Sequence, residues 1–149
     1  RIVHLDSRNT SVDSCAATRQ AIKKIRRNDR VVILGINDEA VLGALSAFAE
    51  DGSLARCVTV GLGGDVTSLR ELKRSGSRMI GVVASFPERY GERVVEMASA
   101  ILQRRAAPPA RYTNHCYVLS DETMRLLDLT ALRGSVVSAT EYSAQRRGV

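Results

Sequence analysis

Val31-Val32-Ile33-Leu34-Gly35-Ile36-Asn37-Asp38-Glu39-Ala40-Val41-Leu42-Gly43-Ala44-Leu45 holds the transition that decides the fold. Val31 to Leu34 is a continuous apolar run, the pattern of a strand buried on both faces of a parallel sheet. From Val41 the spacing changes. Val41, Ala44, Leu45 and Phe48 fall on one stripe of a helix, and Asp51-Gly52 supplies a turn and C-cap signal at its end. The chain therefore turns from strand to helix across Gly35 to Glu39.

Asp38 and Glu39 stand at that turn. As neighbours on a helix they diverge by about 100° around the axis, so they do not converge on one bond as a general acid and base would. Anionic side chains in a first turn are favoured by the helix dipole. Both are read as helix-opening residues rather than catalytic ones. Asn37 closes the strand and opens the helix. Asn is among the best N-caps, and its amide also offers a donor and an acceptor to a ligand hydroxyl. The two roles compete for one side chain, and the residues alone leave both open.

The same alternation runs outward in both directions. Ile2 to Leu5 reads as a strand, and Asp6 to Ser11 as a polar loop ending in cap residues. Val12, Cys15, Ile22 and Ile25 line one face of a helix that stops near Asn28. Downstream, Cys57 to Val60 is a strand, Gly61-Leu62-Gly63-Gly64 its exit loop, and Ser68 to Arg74 a short helix closed by Gly76. Met79 to Val83 is the next strand. Pro87 suits the first turn of a helix that buries Tyr90, Val94, Met97, Ala98 and Ile101 and breaks at Pro108-Pro109. Cys116 to Leu119 is strand-like, and Asp121 to Leu129 is a last short helix. Residues 1–132 are expected to form one α/β lobe, with a mostly parallel sheet flanked by helices in three layers, and 133–149 a polar C-terminal tail. In such sheets ligands bind outside the carboxyl ends of the strands. The loops at Asp6 to Ser11, Gly35 to Glu39, Gly61 to Asp65 and Ala84 to Pro87 are the expected functional ones.

Composition narrows the chemistry. Aromatic content is 4% with no Trp, so stacking platforms for bases or sugars are scarce. The net charge of +6 is spread over pairs such as Arg26-Arg27, Arg104-Arg105 and Arg146-Arg147, near helix ends or in the tail, which reads as solvated surface rather than a nucleic-acid face. Cys15, Cys57 and Cys116 are an odd number of cysteines without CxxC spacing, read as buried free thiols. His115-Cys116 is a poor metal pair, because adjacent strand residues point to opposite faces. Gly61 to Gly64 lacks the GxGxxG and P-loop spacings. No catalytic constellation, metal site or cofactor site is expected, and the chain is not expected to be an enzyme.

Asn37-Asp38-Glu39-Ala40-x-x-Gly43-Ala44-Leu45 after an apolar strand resembles one segment of the type I periplasmic binding protein superfamily. Similar in order are Val58-Thr59-Val60-Gly61, Leu69 to Gly76, Gly81-Val82-Val83-Ala84-Ser85-Phe86-Pro87-Glu88 with Tyr90-Gly91, and a strand entering Leu119-Ser120. The resemblance spans Arg1 to Thr123. It implies most of the second lobe of a two-lobed fold, with ligand held between the lobes and the first lobe missing as a partner. It implies a noncatalytic sugar-binding lobe of an ABC-transporter solute-binding protein, or alternatively the effector domain of a lac-repressor-type regulator. Localisation follows the choice: periplasmic or extracellular for the first, cytoplasmic for the second. Partners are then a small molecule such as a carbohydrate and the missing lobe, with no direct nucleic-acid contact. A homodimer, or a rearranged helix, is expected because the apolar helix face has lost its usual cover.

The resemblance also implies three ligand-binding positions, Asn37, Gly63 and Ser85. Asn37 keeps the residue that ribose-type members use on sugar hydroxyls. Gly63 stands where they carry an Asp, unless Asp65 substitutes, and Ser85 where they carry Gln or another polar residue. A hydrogen bond to a charged group is worth roughly 1.5–3 kcal/mol. Loss of the Asp contact therefore corresponds to about one to two orders of magnitude in affinity.

Overall fold

The computed structural model describes residues 1–85, 90–105, 116–126 and 136–147. Thr10 opens the first helix, α1 (Ser11–Ile22), by accepting a 3.1 Å hydrogen bond from the Asp13 amide. The strand β1 (Val31–Leu34) leads through Asn37 into α2 (Asp38–Glu50). A 3-10 turn, Leu54–Arg56, feeds β2 (Cys57–Gly63), which is followed by α3 (Val66–Lys73) and β3 (Met79–Ala84). Then come α4 (Tyr90–Leu102), β4 (Cys116–Leu119), α5 (Asp121–Leu126), β5 (Val136–Ser138) and α6 (Ala139–Arg147).

The five strands lie in sequence order, β1-β2-β3-β4-β5. Every neighbouring pair is parallel except β3–β4, which runs antiparallel with Gly81 opposite Leu119. With helices flanking this sheet, the expected mostly parallel α/β architecture is what the chain forms. Val41, Leu45 and Phe48 of α2 are buried with Met79, Val82 and Val118 in one core. Removing water from side chains of this size contributes about 1.5–3 kcal/mol each. Gly43 faces α1 so closely that a Cβ there would sit 2.1 Å from the Ser11 carbonyl oxygen. This contact lets the Ser14 hydroxyl donate to the Ala40 carbonyl across the two helices.

Several details differ from the sequence reading. Ile2 to Leu5 forms no strand, and its apolar side chains are exposed, because no neighbouring strand among the described residues offers it a ladder. β1 is covered on one face only. Val32 and Leu34 are 67% and 77% exposed, as befits an edge strand with helices on a single side. Of the face expected on α1, Val12, Cys15, Ile22 and Ile25, only Ile22 is buried: Val12 is exposed, Cys15 is half-buried against the core, and Ile25 lies past the helix end at Ile22. Ser14 and Thr18 fill the buried face, because close approach to α2 favours small hydroxyls over bulk. On α4, Val94 and Ile101 are 62% and 61% exposed rather than buried, since no other described element packs over them.

The expected polar tail supplies β5 and α6 instead. Tyr142, 2% exposed, and Ala139 join the core while their polar neighbours face water. Too few apolar residues mark that stretch for periodicity to reveal it. The helix start at Pro87, the Pro108-Pro109 break and His115 lie outside the described residues. Of the three thiols, Cys57 is buried while Cys15 and Cys116 are half-buried. No described helix is long and apolar enough to cross a membrane.

Candidate ligand-binding site

The parallel run of β1, β2 and β3 brings Asn37, Gly63 and Ser85 to one edge of the sheet, at the carboxyl end of each strand. Asn37 sits in extended conformation as the N-cap of α2. Its Oδ1 accepts from the Ala40 amide at 2.8 Å, and its Nδ2 donates to the Asn9 carbonyl at 3.1 Å. The cap role is thus filled. A primary amide has two donors and two acceptor lone pairs, so one of each is left on the half-buried side chain. Capping and ligand contact are compatible here, not exclusive.

Asp38 does more than open the helix. It is 3% exposed. Its Oδ2 accepts from the Gly64 amide at 2.7 Å, the Asp65 amide at 2.9 Å and the Ser68 hydroxyl at 2.8 Å. The first turn of α2 is thereby fastened to the β2–α3 loop. Oδ1 faces Gly61, where a Cβ would approach it to 2.4 Å. Charge-assisted bonds of this kind are about twice as strong as neutral ones. In the sequence Asp38 lies one helical turn before Val41, on the same stripe as Leu45 and Phe48, a position that points to burial but not to the partners that fasten it. Glu39, one position on, is exposed, as the divergence of the two side chains requires.

Gly63 adopts φ +143°, a region that L side chains rarely enter, and a Cβ there would lie 2.9 Å from Asp38 Oδ2. Both facts favour glycine at this position. Asp65, the residue that would substitute for a carboxylate there, serves as the N-cap of α3. Its Oδ1 caps α3 by accepting from the Ser68 amide at 2.7 Å. Ser85 is tied to the glycine loop through its amide, which donates to the Gly63 carbonyl at 3.3 Å, while its own carbonyl accepts from the Tyr90 hydroxyl. Two concave surfaces, of about 380 and 510 Å³, lie on α1 and α2 instead, and neither is lined by Asn37, Gly63 or Ser85. Polar groups converge on the strand-end edge, whereas those two surfaces are grooves between helices. Burial pushes the Cys57 and Cys116 thiols up, so neither is an activated nucleophile.

No protein-family model and no curated protein sequence matches the chain. Solved structures do. A solute-binding protein of an ABC transporter from Agrobacterium vitis, with bound allitol, superposes with a TM-score of 0.68 at 23% identity, covering 80% of this chain and 42% of that one. The chain has the fold of part of a periplasmic sugar-binding protein. A periplasmic solute-binding protein from Actinobacillus succinogenes with bound D-allose gives 0.68 at 16% identity, over 80% of this chain and 40% of that one. The myo-inositol binding protein of Caulobacter gives 0.66 at 19%, over 78% and 39%. This chain spans about two-fifths of the length of these proteins.

Proposed function

We propose that the chain is a noncatalytic sugar-binding lobe of an ABC-transporter solute-binding protein, with its ligand seated against Asn37, Gly63 and Ser85. The observation that carries this reading is the position of Asn37. It caps α2, yet keeps one donor and one acceptor at the carboxyl end of β1, in a fold shared with proteins that hold allitol, D-allose and myo-inositol. Such ligands are hydroxyl-rich and uncharged, matching an amide and a serine hydroxyl better than a charged site. The other lobe is the second partner in this reading.

A second reading, the effector domain of a lac-repressor-type regulator, draws support from three free cysteines, which suit a reducing compartment. In the gene, a secretory signal ahead of this segment selects the transporter reading, and a helix-turn-helix the regulator. The sugar reading itself is tested by calorimetry with D-allose, D-glucose and myo-inositol on Asn37→Asp and Ser85→Ala. Asn37→Asp keeps the capping oxygen but loses the amide donor. We expect each to weaken binding about 10-fold, the equivalent of one lost hydrogen bond. Affinity unchanged in both variants removes these residues from the site.

A further inference from the structure

The glycine loop after β2 has the form of an anion site, and the chain fills it with its own carboxylate. The amides of Gly64 and Asp65 and the hydroxyl of Ser68 converge on a single oxygen, Asp38 Oδ2, at 2.7, 2.9 and 2.8 Å. Consecutive backbone N–H groups turned the same way make a concavity that favours negative charge, and the N-terminus of α3 adds to it. The positive φ angles of Gly63 and Gly64, +143° and +82°, turn the backbone at this point, and Cβ atoms on Gly61 or Gly63 would collide with the carboxylate.

We propose that Asp38 is a positioning residue for the cleft and a determinant of its specificity. It sets the Gly64–Asp65 turn between β2 and α3 beside Asn37 and, as a resident anion, turns away phosphorylated and carboxylated ligands. The inference rests on the sugar-binding reading and narrows it: the accepted ligand is uncharged where it meets β2. A free anion finds the Gly64 and Asp65 amides engaged and a fixed negative charge behind them, with the exposed Asp65 and Glu39 carboxylates nearby.

The test is amide NMR on the 149-residue chain, with inorganic phosphate and formate as probes. In the wild type, the Gly64 and Asp65 amides are expected downfield, slow to exchange, and unmoved by phosphate. In Asp38→Ala they move upfield and exchange about 10-fold faster, the equivalent of losing one charge-assisted bond. Formate then restores them, and phosphate now perturbs them. Asp38→Asn keeps the shape and an acceptor without the charge, so the amides stay protected but lose most of the downfield displacement. This variant decides the matter if Asp38→Ala does not fold. Amides unmoved in both variants, or a wild type as responsive to phosphate as Asp38→Ala, overturn the proposal. No sugar enters these measurements. Failure to bind neutral sugars alongside the expected amide response therefore rejects the sugar reading and leaves the loop-holding role of Asp38 in place.

Discussion

Asn37 and Asp38 are adjacent in the chain and divide the work at the end of β1. Asn37 caps the helix and ties it to Asn9, while Asp38 ties it to the next loop. Asn37→Ala should lower stability by about 1 kcal/mol in urea denaturation, as loss of a cap does elsewhere. Gly63→Asp adds a carboxylate at the end of β2, and it should destabilise the fold rather than improve binding. Its φ is +143°, and its Cβ would press on a carboxylate of the same sign. A melting temperature equal to wild type with tighter sugar binding would refute this. Thiol alkylation should reach Cys15 well before the buried Cys57, whose thiol burial holds in its protonated form. The sequence showed Asn37 and its competing roles clearly. It hid the anchoring role of Asp38, because a carboxylate at a helix start has an ordinary explanation and the donors it meets lie 26 to 30 residues away.

Among elements, α2 was fully legible and α4 only half so. The stripe on α2 is buried as its spacing requires, and its Gly43 packs against α1. Gly43→Ala should cost about 1–3 kcal/mol despite its better helix propensity, because the nearest atoms are Ser11 backbone and cannot rotate away. Denaturation midpoints check this. On α4 the apolar spacing gave the helix correctly but not its surroundings. Exchanging the exposed Val94 and Ile101 for Lys should change the stability of a single chain by no more than about 0.5 kcal/mol each. If the homodimer expected from the sequence forms on this face, the same pair lowers the sedimentation coefficient to that of one chain. Ile2 to Leu5 shows the limit of local reading: strand composition without a partner strand makes no strand.

Across the whole molecule, strand–helix alternation was enough to predict a mostly parallel sheet. The antiparallel β4 and the contribution of β5 and α6 were not legible, since both depend on long-range pairing. Charge also acts at this scale. Burial alone would raise the Glu71 carboxyl. Hydrogen bonds from Arg74 and Ser77, with the Arg74 charge, outweigh it and hold the group below its usual value. A depressed carboxyl contributes stability that is present above its unfolded value and lost as pH falls through the folded one. Denaturation from neutral pH into the acid range should therefore show a smaller loss of stability in Glu71→Gln than in wild type. The central claim, that the strand ends carry a sugar site, is tested most directly by titrating the chain with D-allose, D-glucose and myo-inositol while following its amide resonances. The account predicts saturable changes at Asn37, Gly63 and Ser85, with a Kd of about millimolar for an unassisted lobe. Spectra unchanged at these three residues, or changes confined to the grooves of α1 and α2, would contradict it.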